Sequence, residues 1–371
     1  MHDVLIIGGG LAGLTSALHL ANAGLSVGVL EKKRFPFHKF CGEYLSREVV
    51  PYLERLGVEM DQLAPRDIRR ILFTAPSGKQ IETPLPLGGI SMTRFRLDQF
   101  LYQLAQKKGV KIYEGFPVEQ FHFEEDHFNI KGRNGQIFRS HMLVGSYGKR
   151  SILDKHLQRP FFFKRSPYIG VKYYVEYEFP PDAVALFNFP GGYCGGIQVE
   201  DNLANFTYMI RKQSLDRYGK LPEMEAALVT TNPRLSPVFE QIRMQKVKPI
   251  VISNISFQPK QLIVDHALMC GDAAGMIAPV SGNGMAMAIH SAKLVSESIF
   301  TYFQDQCSRE EMERLYQQKW QQLFGSRLFW GRQLQKFMGK ALISELAVAG
   351  LRLIPGVFPS IIRQTHGTPI H

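Results

Sequence analysis

The chain has 371 residues, enough for two closely joined domains, because single cores rarely grow past ~250 to 300 residues. With 45% hydrophobic and 21% charged residues it reads as a soluble globular protein, which sets aside disordered and membrane-spanning classes. The net charge of +11 contains no run of five basic residues, so Lys32-Lys33-Arg34 and Lys107-Lys108 read as solvated faces and nucleic acid is disfavoured; phosphate-bearing ligands and an anionic membrane surface stay open.

Residues 3 to 7 form a short apolar run closed by Gly8-Gly9-Gly10, and Leu11 to Asn22 follows with helical spacing. Gly24 ends that helix, and Ser26 to Leu30 is a second apolar run, which completes a βαβ unit and implies a parallel sheet. The apolar start, Val4 to Leu20, lacks a basic leader and holds three glycines, so it is expected to be mature protein and not a secretion signal. From Arg70 to Glu82 the pattern is β-like, with a turn at Ser77-Gly78, and Pro84 and Pro86 are expected to break it. Arg94 to Lys108 is a helix by the recurrence of Phe95, Leu97, Leu101 and Leu104.

Short β-branched or aromatic runs follow: Ile169 to Tyr177, Ala185 to Phe189, Tyr193 to Val199 and Phe206 to Ile210. They predict a second, largely antiparallel sheet. Leu262 to Met269 is strand-like, Ala273 to Phe303 mostly helical, and Glu310 to Leu346 helical and amphipathic. One domain is therefore interrupted by the other. Residues 1–70, 90–155 and 265–305 form the first, residues 71–89 and 156–264 the second, and residues 306–371 a C-terminal helical segment.

Gly8, Gly10 and Gly13 make a GxGxxG directly after a strand and at the opening of a helix. The first glycine permits the turn, the second lets a pyrophosphate reach the backbone, and the third allows close helix-to-strand packing. Leu11 and Ala12 lie in the first helical turn, whose free N–H groups and dipole favour phosphate. Glu31, with Lys32 beside it, ends the second strand, where a carboxylate can bond ribose hydroxyls; NAD would satisfy this half as well as FAD. The choice of FAD comes from Gly271-Asp272, with Gly282, Gly284 and Met285 at a later helix start. A carboxylate there can bond a polyol, and the helix start offers N–H groups to a developing anion, whereas Asp272 alone could be a helix cap.

These two motifs resemble the para-hydroxybenzoate hydroxylase-like FAD-dependent oxidoreductase superfamily, in particular its geranylgeranyl reductase and flavin-dependent halogenase-like branches, over most of the chain to about residue 300. The resemblance implies an α/β fold: a Rossmann-like, interrupted FAD-binding domain with an inserted mainly antiparallel β substrate domain and C-terminal helices. Lys39-Phe40-Cys41-Gly42-Glu43 is similar to the Cys-Gly segment that lies near the flavin ring in the reductase branch, and Arg94 to Asp98 to the Arg-x-x-x-Asp helix start whose arginine contacts FAD. Gly191-Gly192-Tyr193 with Asn205 resembles a strand pair that faces the flavin. Two departures stand out. Tyr147 replaces the aspartate expected in Gly145-Ser146-Tyr147-Gly148, which leaves the electron donor open between NAD(P)H and a separate donor protein; and the only tryptophans, Trp320 and Trp330, fall outside the halogenase motif.

The implied function is an FAD-dependent oxidoreductase: a monooxygenase hydroxylating an aromatic or apolar small molecule, alternatively an ene-reductase of a prenyl or lipid substrate, or a non-catalytic redox carrier. Catalytic residues stay unknown, with Cys41 and Tyr193 as flavin-proximal candidates, although a buried inert cysteine fits Cys41 equally. The aromatics from Phe161 to Phe189 either line a substrate cavity or form sheet core. Histidine spacing gives no metal site, and Cys41, Cys194, Cys270 and Cys307 form no CxxC pair, so a reduced cytoplasmic setting is expected. The tail from Phe324 to Ile362, strongly apolar from Leu346 to Phe358, is expected to pack on the nucleotide domain, with peripheral membrane contact as the alternative.

Overall fold

The computed structural model describes residues 1–354 and 356–371, with only the backbone of Val229. In the first sheet, strands Ala267–Met269, Ile137–Gly145, His2–Ile7, Val27–Glu31 and Lys111–Glu114 lie side by side in parallel. Their near-continuous Val/Ile/Leu runs suit a sheet buried on both faces. Helix Leu11–Asn22 packs on one face between helices Gly284–Phe303 and Arg94–Lys107. Strands Val118–Glu124 and His127–Gly132 extend the sheet from Ile137–Gly145 as an antiparallel meander.

The second sheet is antiparallel except where Ala183–Phe189 runs parallel to Arg66–Thr74. Strand Ala183–Phe189 shows how the two faces divide. Ala183, Ala185, Phe187 and Phe189 face a core shared with Phe179, Phe206, Tyr208 and helices Leu221–Thr231 and Ser236–Met244. Val184 and Leu186 face the opposite way, into a cavity. Among the aromatics from Phe161 to Phe189, sheet core is therefore the role of Tyr173, Phe179, Phe187 and Phe189, and Phe162 is the one that lines the cavity.

Two local expectations are corrected, and one is given its detail. Pro84 and Pro86 do not break their strand: Gln80–Ser91 runs through them, because only its Gly89–Ser91 end pairs with Tyr44–Ser46, and along the rest one edge has no strand that needs an N–H. The stretch from Ala273 to Phe303 is mostly helical, with the long helix starting at Gly284; before it come 3-10 turns at Gly271–Ala273 and Pro279–Ser281, separated from the helix by Gly282 at φ +65°. The tail helix is two helices, Arg309–Phe337 and Ala341–Leu353. They are broken at Gly339, where an added Cβ would lie 2.6 Å from the backbone N of Gly192.

The tail also packs differently than expected. Arg309–Phe337 lies on Gly284–Phe303, but Ala341–Leu353 and Val357–Arg363 cross onto the second sheet against Gln80–Ser91. Of the apolar stretch Leu346 to Phe358, Pro355 lies outside the described residues. No single helix among the described residues is long and apolar enough to cross a membrane.

Candidate functional site

A cavity of about 1490 Å³ runs from the glycine loop, past the start of helix Gly284–Phe303, to a wall made by the C-terminal helices and the second sheet. Gly8, Gly10, Leu11, Ala12, Glu31, Lys32, Cys41, Gly42, Arg94, Asp272, Gly282, Gly284, Met285 and Tyr193 all line it. Gly13 and Gly271 stand just behind the lining. A Cβ on Gly13 would fall 1.9 Å from the Gly8 carbonyl oxygen, and one on Gly271 2.9 Å from the Ala12 Cβ, so both serve close packing of helix on strand.

The loop itself is built as a cradle. Gly8 sits at φ +105°, where a side chain would be strained and would meet the Ser146 carbonyl at 2.7 Å. Gly10 differs: only the Lys39 ammonium, 3.7 Å away, comes near its would-be Cβ, so space for a ligand remains against the backbone. No side chain caps helix Leu11–Asn22 or helix Gly284–Phe303, and neither carries an acid in its first turn. Both positive helix ends are thus left for an anion. Glu31 accepts hydrogen bonds from Gly9 N at 2.7 Å and Lys33 N at 2.9 Å, which fixes its carboxylate at the strand end.

Sequence reasoning missed Lys39 as a site residue. Its Nζ donates to the Gly9 carbonyl at 3.1 Å and pairs with Asp98 at 2.8 Å, while Arg94 grips the same carboxylate at 2.8 and 3.0 Å. Burial lowers the Lys39 pKa, Asp98 opposing; burial works against Asp98 as well, but Arg94 and then Lys39 hold it below the usual carboxylate range. Two cations on one carboxylate leave one positive charge beside the cradle, which a diphosphate complements.

At the second motif no described donor lies within hydrogen-bond distance of the Asp272 carboxylate, and burial raises its pKa. Lys149 and Lys260 stand nearby, each pushed down to about 8 by burial with Asp272 opposing; Lys260 Nζ holds the Asp272 carbonyl at 2.6 Å and the Lys149 carbonyl at 2.8 Å. Tyr147, standing where an aspartate was expected, lines the cavity and bonds through its hydroxyl to Asp154 at 3.3 Å and Arg159 at 3.2 Å. Arg159 and Asp154 are fully buried partners at 2.8 Å, and Arg159 also donates to the Ala273 carbonyl at 2.9 Å, which ties this network to the Gly-Asp turn.

Cys41 is half-buried and faces the cavity; its Sγ accepts from Glu43 N at 3.4 Å. The segment is moored by Glu43, in the left-handed region at φ +61°. Glu43 Oε1 accepts from Lys172 Nζ and Arg94 N, each at 2.8 Å, and from the Tyr174 hydroxyl, while Oε2 accepts from Asn205 Nδ2 at 2.8 Å. Asn205 Nδ2 also reaches the Cys41 carbonyl at 2.8 Å. Lys172 and Glu43 are wholly buried and tie the segment before edge strand Tyr44–Ser46 to strand Tyr168–Glu176, near the other end of the same sheet. A lysine in the middle of the apolar run Ile169 to Tyr177 was the available signal. Tyr193, 4% exposed, bonds Gln335 at 3.3 Å, and burial drives its pKa up, so it stays a neutral phenol. Beyond it the cavity is apolar, lined by aliphatic side chains such as Leu85, Val184, Leu186 and Leu351 and by the rings of Phe73 and Phe358.

Residues 1–178 match a family model described as FAD binding domain. The protein is an FAD-dependent oxidoreductase. Its fold is that of the para-hydroxybenzoate hydroxylase-like flavoproteins. It is 25% identical over 382 aligned residues to conditioned medium factor receptor 1 of Dictyostelium discoideum, covering 95% of this chain and 73% of that protein. It is 23% identical to digeranylgeranylglycerophospholipid reductase 2 of Methanopyrus kandleri, covering 93% and 88%. Among solved structures it resembles pqsL, a probable FAD-dependent monooxygenase from Pseudomonas aeruginosa, with a TM-score of 0.75 at 17% identity over 94% of this chain and 99% of that one. The cradle fits FAD: an open backbone at Gly10, uncapped helix ends, an excess cation and a carboxylate fixed at the second strand's end are what a dinucleotide requires.

Proposed function

We propose that this oxidoreductase is a monooxygenase that hydroxylates an aromatic or otherwise electron-rich apolar small molecule. The observation that carries the reading is the single continuous cavity. It is larger than the ~300 to 1,000 Å³ of ordinary ligand pockets, polar and cationic at the glycine loop and apolar, aliphatic and aromatic, at the far end, with room for a cofactor and a second molecule end to end. FAD supplies the redox chemistry and the activation of oxygen; the chain binds it, orients it and keeps water away.

Gly8, Gly10, Leu11 and Ala12, with Lys39 and Arg94, would hold the pyrophosphate, and Gly13 would let the helix pack close enough to do so. Glu31 and Lys32 would take the adenosine end and Asp272 the ribityl chain, with Gly271 fixing the turn behind it. Cys41, Gly42, Gly282, Gly284 and Met285 would surround the ring. The solved pqsL complex with 2-aminobenzoylacetate supports an aromatic acceptor for this fold. With Tyr147 in place of the expected aspartate, we infer that a separate donor protein rather than NADPH reduces the flavin.

A second reading, reduction of a prenyl or lipid double bond, is favoured by the apolar lining and by Leu342, Leu346, Leu353 and Ile354. These side chains are 60 to 83% exposed on the outer side of the C-terminal helices and would rest on a membrane surface. Mixing reduced holoprotein with apolar compounds separates the two. A monooxygenase turns over only when oxygen is admitted, whereas anaerobic oxidation of the flavin by a prenyl lipid would establish the second reading and defeat the first.

A further inference from the structure

The wall that the second sheet gives to the cavity has a bare position at its centre. Gly195, in strand Gly192–Gln198, lines the cavity and is partly exposed. Tyr193 and Ile197 flank it on the same face of its own strand, and Leu186 and Thr207 are its partners across the ladder; all four line the cavity as well. Leu186 and Thr207 are also partly exposed, so this part of the wall is within reach of a molecule in the cavity.

A glycine inside a strand weakens it, and it marks a turn of the backbone or the close approach of another group. At the other strand glycines of this sheet that reason lies in the chain itself. Gly88 sits at φ +66°, and a Cβ on Gly192 would collide with the Met209 carbonyl oxygen. On Gly89, Gly170 and Gly196 a Cβ would run into an aromatic ring laid against the bare backbone, that of Tyr44, Phe40 and Phe179 respectively. The sheet thus uses a missing side chain repeatedly to seat a ring. Gly195 shares none of these reasons. Its φ is outside the left-handed region, and a Cβ would come no closer than 3.6 Å to Leu186 Cδ2 and 3.9 Å to the Thr207 carbonyl oxygen, both ordinary contacts. The chain has room for a side chain here, and that room opens on the cavity.

We propose that Gly195 is the seat for a planar ring of the substrate. The ring lies flat on the bare strand among Leu186, Tyr193, Ile197 and Thr207, as Phe179 lies on Gly196 from the opposite face. A puckered, saturated ring cannot come as close, and a gap of ~0.5 to 1 Å already forfeits a quarter to a half of the dispersion attraction. This deepens the monooxygenase reading by naming where its aromatic substrate rests, and it relies on the cavity being the substrate site.

The test is calorimetric titration of FAD-loaded protein with 2-naphthol and with decahydro-2-naphthol, which keeps the two-ring skeleton and the hydroxyl but not the planarity. The naphthol should bind about tenfold tighter. Gly195→Ala puts a methyl group into the seat; it should weaken naphthol binding about tenfold and level the two affinities, the effect of one group too many in an apolar pocket. Its midpoint in urea should be unchanged or higher, because the new Cβ meets only ordinary contacts. Gly196→Ala, whose Cβ strikes Phe179 in the core, should lower that midpoint. Equal affinity of the unaltered protein for the two probes, no binding of either, a preference that survives in Gly195→Ala, or a lowered midpoint in that variant overturns the assignment. So does a changed flavin spectrum in Gly195→Ala without probe, which would give the seat to the cofactor. A protein that shows the preference and loses it in Gly195→Ala, yet releases no hydroxylated product, upholds the seat and defeats only the monooxygenase reading.

Discussion

Replacing Lys172 with Met removes the ammonium from a wholly buried pair and leaves Glu43 charged in the interior. The carboxylate keeps its neutral donors, Arg94 N and Asn205 Nδ2 at 2.8 Å and the Tyr174 hydroxyl, but loses the only full positive charge that bonds it, at 2.8 Å. Stranding a buried charge in this way costs about 3 to 5 kcal/mol. The effect is expected in urea unfolding as a lower midpoint at an unchanged slope. It is also expected to depend on Glu43: in a Glu43→Gln background, where no charge is stranded, the same substitution should cost less by about 2 kcal/mol or more. A loss below about 1 kcal/mol, or an equal loss in both backgrounds, would refute the claim that this buried pair moors the Cys41 segment to the second sheet.

Gly10→Val should fold and lose its flavin, because its side chain enters the open cradle, whereas Gly13→Ala should fail to fold, since its Cβ would lie 1.9 Å from a backbone oxygen; circular dichroism with the flavin-to-protein absorbance ratio distinguishes them. Anaerobic stopped-flow mixing with NADPH should reduce the flavin only slowly, and fast reduction of the unaltered protein would show that Tyr147 does not exclude this donor. His290, packed at 5.1 Å against Phe324, has its pKa pushed down to about 4 by burial, then by Arg327. Between pH 6.5 and 4 the unfolded chain binds the proton and the folded one does not, so stability present above pH 6.5 falls by about 3 kcal/mol as the pH drops through that window. His290→Leu should flatten this acid limb in pH-dependent denaturation, and an unchanged limb would place the effect elsewhere.

The parallel sheet and its phosphate loop were legible because they are local. A strand, three glycines at fixed offsets and an acid at the next strand end lie within residues 1 to 31, and the structure brings Gly8, Gly10 and Glu31 to one cavity. Asp272 was legible for the same reason, as a strand-end Gly-Asp. Pairing across long separations was not. Glu43 meets Lys172 and Asn205 from strands more than 120 residues later, and nothing in their local sequence names the partner. The second-sheet strands begin at Tyr44 and Arg66, earlier than position 71, because the antiparallel pairing that defines them is made with distant segments. Gly195 carried no motif at all. A strand glycine singles itself out only when the packing around it shows that no neighbour requires it.

Isotope labelling tests the central claim most directly. Holoprotein supplied with a reductant, an alkyl phenol and ¹⁸O₂ should release a product that has gained one ¹⁸O atom per oxygen molecule consumed, as mass spectrometry would show. A product that instead gains two hydrogens and no label, formed equally well without oxygen, would contradict the monooxygenase account.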